Sequence, residues 1–328
     1  PSQNWNSMCA ECHSTNLQKN YDPASRSFST SWSEIDVSCE ACHGPGSKHI
    51  AGAKAGTLDQ DSGLLTQLSQ RGEWVFPEGQ SIARRLTPIE SNAQIDNCAR
   101  CHSRRGTLGD YHYGADLLDT HRLSLPEFPL YHYDGQIFDE VYVYGSFVQS
   151  KMHQAGVVCS NCHEPHSNAL RADGNGVCAQ CHKPDTYDTT KHHHHPVSSD
   201  GAQCANCHMP HTTYMGVDDR RDHSMRVPRP DLSVMLGSPN ACNQCHTDKE
   251  PRWALEALIA AGKKGCTPFD TRWAQRRSMH SIRSMLAPGH SSTRCPGISS
   301  RWPKGRQART WTGSGEAGST VLSQWILH

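Results

Sequence analysis

The sequence predicts a mainly α-helical fold with extensive irregular loops and little β-structure. Only 35% of the 328 residues are hydrophobic and the mean hydropathy is −0.69. A chain this polar has too little apolar surface to offset its conformational entropy with an ordinary core. Glycine (26 residues) and proline (19) are frequent, which favours loops between short elements. In addition, one cysteine-rich pentapeptide recurs along the chain and divides it into short segments.

This pentapeptide has the form CxxCH, and it includes fourteen of the sixteen cysteines. It is the attachment signature of c-type haem. Two thiols one helical turn apart can each form a thioether with the porphyrin, and the adjacent histidine can ligate iron. Zinc sites, iron–sulfur clusters and disulfides do not require a histidine after every pair. Numbered 1 to 7 in chain order, the motifs are Cys9, Cys12, His13; Cys39, Cys42, His43; Cys98, Cys101, His102; Cys159, Cys162, His163; Cys178, Cys181, His182; Cys204, Cys207, His208; and Cys242, Cys245, His246.

The motifs therefore predict seven covalently bound haems c per chain, and these porphyrins supply the apolar interior that the side chains lack. The expected architecture is a multihaem cytochrome c fold organised around stacked haems. Motifs 1 and 2 are close in sequence, as are motifs 4 to 6, so we expect their haems to be neighbours. Short helices should form on and after each motif. The segment 140–148, EVYVYGSFV, alternates Val and Tyr and predicts a strand.

Fifteen further histidines can supply second axial ligands, which favours bis-histidine coordination and low potentials. Met209, Met215 and Met225 are an alternative that would raise the potential, although methionine is more often packing material. His166 closely follows motif 4, and His49 follows motif 2 after a Gly-Pro turn. The long gap between motifs 3 and 4 contains His121, His132 and His153. Of the run 192–195, at most two imidazoles are expected to point inward.

The chain divides by composition into a multihaem domain, residues 1–265, and a basic Arg/Ser/Trp-rich tail, residues 266–328, expected to be disordered or non-native. Before the tail, Asp248 should cap a helix that starts near Pro251 and stops at Gly265. Its apolar face should contain Trp253, Ala257 and Ala261, with Leu258 adjoining. Residues 1–265 carry a net charge of −7, which argues against nucleic-acid binding. No apolar run is long enough to predict a membrane span.

Several peptides resemble multihaem cytochromes of the doubled-CxxCH type, a group related to tetrahaem and hydroxylamine-oxidoreductase-like haem arrangements. The resemblance extends from residue 3 to about residue 264 and includes QNWNSMCAECHSTNLQKNYD, LYHYDGQIFDEVYVYGSF and RRDHSMRVPRPD. It implies an upstream segment with a further haem motif and a secretion signal, and tetratricopeptide repeats after Gly265. It also implies maturation outside the cytoplasm, in the periplasm or beyond. As distal-ligand candidates it supports His49, His121, His132, His166, His194 and His223.

These observations predict electron transfer along a chain of haems. The expected partners are redox proteins or membrane quinone-linked electron donors. The alternative is a haem enzyme: a haem iron without a distal histidine could act on a small nitrogen or sulfur species. Neither composition nor spacing distinguishes these two hypotheses.

Overall fold

The computed structural model describes residues 4–214 and 216–262. Within these ranges the secondary structure consists of short helices and two-stranded hairpins joined by loops, and this confirms the predicted fold class. The chain divides into two units, Pro1–Phe269 and Asp270–His328, and every described residue lies in the first. The predicted tail, residues 266–328, lies outside the described residues, as does Met215.

Most of the described α-helices are only four or five residues long, and six of them contain cysteines of a motif. Among the described helices, three extend beyond seven residues, namely Ser47–Ala55, Ala93–His102 and Pro251–Ala260. The other α-helices described are Trp5–Met8, Cys39–His43, Tyr144–Phe147, Lys151–Gln154, Cys159–Cys162, Gly176–Ala179, Pro184–Tyr187, Thr190–His193, Cys204–His208, Pro230–Leu236 and Cys242–Cys245, with 3-10 turns at Leu117–Asp119 and Asp200–Ala202.

All strand pairs in the described ranges are antiparallel and local, since each strand pairs with the next strand along the chain. The pairs are Tyr21–Asp22 with Ser27–Phe28, Trp74–Val75 with Arg84–Arg85, Arg105–Thr107 with His121–Leu123, His163–Glu164 with Ala169–Leu170, and His211–Tyr214 with Asp218–Arg221. Such hairpins shape loops and build no extended sheet.

The segment 140–148 is not the predicted strand. Tyr142 makes one isolated bridge to Ser103, and the chain then turns into the helix Tyr144–Phe147. Tyr142 has a φ of 60°, in the left-handed region, which breaks the extended conformation that the alternation predicts. The local pattern was overridden because Phe147 is buried in a core cluster and Val141 in another.

The last described helix also differs from its prediction. It begins at Pro251 with Glu250 as N-cap, so the expected cap at Asp248 was wrong, and it ends at Ala260. Pro251 suits the first helical position because its φ is fixed and its missing N–H has no helical partner. Ala254 is the buried residue of this helix, whereas Ala257 and Ala261 are exposed. The apolar face is therefore displaced from the predicted one because the helix packs against Pro230–Leu236.

Side chains form only small apolar clusters among the described residues. One contains Ile95, Phe147, Val157 and Val158, and the other contains Tyr131, Ile137, Val141 and Tyr214. Clusters of four residues cannot organise a domain of this size, because the hydrophobic contribution scales with the apolar area buried. This agrees with the expectation that an apolar prosthetic group completes the interior.

Candidate haem-binding site

Each motif forms one turn of helix or a helix-like turn, and this turn positions the reactive groups. In motifs 1, 5 and 7 the histidine N–H donates to the carbonyl of the first cysteine, at 3.2, 2.9 and 2.9 Å. Motif 4 makes the same bond. Motifs 2, 3 and 6 lie inside the helices Cys39–His43, Ala93–His102 and Cys204–His208. All fourteen motif cysteines are free thiols, so both sulfurs of every motif are available for thioethers.

Four motif histidines lie opposite a second histidine from another part of the chain. The ring centres are 6.1 Å apart for His43 and His166, 6.4 Å for His163 and His223, 6.1 Å for His208 and His192, and 6.2 Å for His246 and His195. The angles between the ring planes are 9°, 25°, 17° and 35° in the same order. Motifs 2, 4, 6 and 7 are thus each paired with a specific second imidazole.

These separations are those expected for two imidazoles on opposite sides of one metal ion. Two metal–nitrogen bonds of about 2.0 Å, with about 1.1 Å from each nitrogen to its ring centre, put the centres about 6.2 Å apart. Direct stacking or a hydrogen bond between the rings would bring them closer. The residues present therefore fit bis-histidine haem, with thioethers from the motif cysteines and one axial ligand from each ring.

Backbone carbonyls fix the orientation of several of these rings. The Nδ1–H of His208 donates to the carbonyl of Arg226 at 2.6 Å, and that of His223 donates to the carbonyl of Arg221 at 3.0 Å. His195 Nδ1 contacts the carbonyl of His193 in the same way. A proton held on Nδ1 leaves the lone pair of Nε2 for a metal.

Burial keeps these imidazoles in the neutral, metal-binding form. Desolvation lowers the pKa of His163 and is also the main cause of the lowered pKa values of His223, His102 and His182. His163 contributes further to lowering the pKa of His102, and His208 does the same for His182. Imidazoles of successive motifs are therefore close enough to interact electrostatically.

The other predicted distal ligands occupy different surroundings. His121 is buried and its Nε2 lies 3.1 Å from the carboxylate of Glu11, while its Nδ1 contacts Thr120. His132 packs edge-on against Phe138, and His153 packs against Phe147. His49 donates from Nδ1 to the carbonyl of Ser62 at 2.7 Å, which orients it as a metal ligand would be. Axial roles for these four residues stay predictions.

Within the histidine run, the structure brings two rings to motif histidines. They are His192 and His195, whereas the predicted member, His194, is exposed and caps the helix Thr190–His193 with a φ of 59°. His192 lies on this helix, and the left-handed turn at His194 ends the helix and gives His195 a different direction. The sequence carries no direct signal for this turn. Met225, an alternative ligand, packs partly buried against the cluster around Phe147.

Comparisons with known proteins agree with this site. Residues 2–44, which contain motifs 1 and 2, match the family described as cytochrome c554 and c-prime. Residues 152–186, with motifs 4 and 5, match the family described as doubled CXXCH motif. A search of the curated proteins gives no significant match.

The chain aligns with two solved structures. The outer cell wall cytochrome OcwA aligns with a TM-score of 0.51 and 18% identity, over 80% of this chain and 68% of that protein. The undecahaem cytochrome from the S-layer of Carboxydothermus ferrireducens aligns with a TM-score of 0.31 and 19% identity, over 79% of this chain and 47% of that one. The first of these similarities supports a multihaem cytochrome fold.

Repeated CxxCH turns, facing imidazoles and these matches define a class of protein that binds several haems covalently. Two segments of the chain match cytochrome families, and the chain has the fold of a multihaem c-type cytochrome. In the part of the chain that the structure describes, no helix has the length and apolar character needed to cross a bilayer.

Proposed function

We propose that this chain carries seven haems c and acts as an electron carrier whose haems are predominantly bis-histidine ligated. When bound, the haem irons supply one-electron redox chemistry. The polypeptide attaches each porphyrin through two cysteines, supplies axial imidazoles and sets the polarity around each site. All 21 motif residues named above take part in binding.

The four facing histidine pairs carry this proposal. Each pair joins a motif to a residue distant in sequence, as in His163 with His223, so haem ligation also holds separate loops together. Two axial imidazoles favour a low-spin iron with low potential and no open position for a substrate. That arrangement suits electron transfer better than catalysis.

We propose a location outside the cytoplasm, in the periplasm or at the cell surface. The similar structures are described as an outer cell wall cytochrome and an S-layer cytochrome, which supports this assignment. The donors and acceptors would then be redox proteins or quinone-linked proteins of the membrane.

Electron paramagnetic resonance of the oxidised, fully matured protein tests the proposal. We expect low-spin signals from the paired haems and reversible reduction of all haems by dithionite. A high-spin signal that changes when nitrite or hydroxylamine is added, together with turnover of that compound, would contradict the carrier assignment. It would favour the alternative, an oxidoreductase with a five-coordinate haem.

A further inference from the structure

One tyrosine contacts candidate axial histidines of two different motifs. The ring centre of Tyr187 lies 5.5 Å from that of His182, the histidine of motif 5, and 5.4 Å from that of His192. His192 in turn faces His208, the histidine of motif 6, at 6.1 Å. Tyr187 therefore lies between an imidazole of motif 5 and the imidazole that is paired with motif 6.

Both contacts of Tyr187 are edge-on. The plane of its ring makes an angle of 87° with the plane of His182 and of 89° with the plane of His192. Aromatic rings favour this arrangement because the electropositive edge of one ring meets the electronegative face of the other. An imidazole packed in this way is less free to turn, because turning brings its atoms into the neighbouring ring. Tyr187 therefore restricts the orientation of both imidazoles.

The backbone beside Tyr187 is fixed relative to motif 6. Tyr187 is the last residue of the helix Pro184–Tyr187, and Asp188 follows as the C-cap. The side chain of Asn175 donates to the carboxylate of Asp188 at 3.0 Å and accepts from the backbone N–H of Cys204 at 2.8 Å. Since Cys204 is the first cysteine of motif 6, one side chain connects the end of this helix to that motif.

Other axial candidates are oriented by the backbone instead of by a ring. The Nδ1–H of His208 donates to the carbonyl of Arg226, for example. For His182, no hydrogen bond to the ring is found in the described part of the chain. Packing against Tyr187 is therefore the contact that limits the rotation of His182. Both rings are half-buried, so the tyrosine also covers the imidazole against water.

We infer that Tyr187 is a positioning residue shared by two candidate haem sites. Its ring sets the orientation of His182 and His192 and limits the access of water to both. This inference rests on the axial roles in the proposed function. The low-spin signal of a haem depends on the orientation of its axial imidazole planes, and its potential depends on solvent access. One side chain thus adjusts the properties of two haems.

Replacement of Tyr187 by leucine in the fully matured protein tests the inference. We expect the low-spin electron paramagnetic resonance signals of two haems to shift while those of the other haems stay unchanged. Two midpoint potentials should fall, because water beside the imidazoles stabilises the more highly charged oxidised iron. Spectroelectrochemical titration measures the potentials. Tyr187→Phe keeps the ring and should restore both the signals and the potentials.

Two further variants serve as controls. Tyr21 packs against Phe28 at 4.7 Å and contacts no histidine among the described ring pairs, so Tyr21→Leu should change no haem signal. Trp253 contacts His246 of motif 7 at 4.7 Å and no second motif histidine among those pairs. Trp253→Leu should therefore change the signal of one haem, where Tyr187→Leu changes two.

Unchanged signals in Tyr187→Leu, or a change in one haem or in all of them, would overturn the shared role of Tyr187. If the leucine variant does not mature, Tyr187→Gln takes its place, because glutamine fills the space with a flexible, unbranched chain and has no ring. It should give the same two changes. An unsubstituted protein without low-spin signals would instead refute the bis-histidine ligation, so the two failures are distinguishable.

Discussion

We expect single imidazoles to set the properties of individual haems in this protein. His223 illustrates this, since its Nδ1–H is held by a backbone carbonyl and its ring faces that of His163 at 6.4 Å. A thioether at the same position would stabilise the reduced iron more than an imidazole does. We therefore expect His223→Met to raise one midpoint potential by roughly 0.1–0.3 V, within the range of about 0.8 V that axial ligands span. Spectroelectrochemical titration measures this shift.

The control for this substitution is His211→Met. His211 is exposed on the strand His211–Tyr214 and has no motif histidine opposite it among the described ring contacts. The midpoint potentials of the His211→Met protein should match those of the unsubstituted protein. If both variants, or neither, shift a potential, then His223 is not the axial ligand of motif 4.

A glycine provides the space for another ligand. A Cβ built on Gly201 would overlap the ring of His195, the imidazole that faces His246 of motif 7. Gly201→Ala should therefore displace this ring, change the low-spin signal of one haem, and destabilise the fold by about 1–3 kcal/mol. Electron paramagnetic resonance spectra measure the change of the low-spin signal, and denaturant unfolding measures the loss of stability. Gly106→Ala, whose Cβ would meet no atom within 4 Å, should change neither.

At the scale of elements, contacts between charged side chains stabilise helix ends that have little apolar packing. Asp231 lies in the first turn of the helix Pro230–Leu236 and accepts hydrogen bonds from Arg229 at 2.8 and 2.6 Å. Burial alone would raise the pKa of Asp231, but the hydrogen bonds and charge of Arg229 outweigh it and lower the pKa. A lowered pKa means that the folded state favours the carboxylate.

This pair predicts a specific dependence of stability on pH. Its contribution is fully present above the pKa of an unfolded aspartate and is lost as pH falls through the lower folded pKa. Asp231→Asn should thus cost about 1 kcal/mol at neutral pH, since Arg229 is partly exposed, and progressively less in acid. Urea unfolding from pH 7 to pH 3 measures the difference. Asp248→Asn, which removes an exposed pair with Lys249, should cost almost nothing at any of these pH values.

Helices and turns were predictable from sequence where residues close together in the chain determine them. The CxxCH turns and Pro251 at the first position of its helix follow from short-range geometry. The segment around Tyr144 was mispredicted because its alternating pattern suits a strand, while burial of Phe147 favours a helix. Likewise, the choice of His192 and His195 over His194 depends on one left-handed residue. Tertiary contacts of this kind leave no periodic signal.

At the scale of the whole molecule, the polar composition was the most informative property. It indicated that side chains alone cannot form the interior, and the two small clusters around Phe147 and Tyr131 agree with that. The contacts of motif 3 with motifs 1 and 2, from Cys101 to Cys12 and from Arg100 to Ala41, were not predictable, because motif 3 is far from both in sequence. Folding should depend on haem attachment, as it does when a metal and its protein fold together.

The central claim is that seven porphyrins, attached through fourteen cysteines, complete this fold. Intact-mass spectrometry of the protein matured in a host that attaches haem c tests it most directly. We expect the polypeptide mass to increase by that of seven haems, and the increase to survive denaturation because thioethers are covalent. A smaller number of haems, or a mass that returns to that of the bare polypeptide on denaturation, would contradict it.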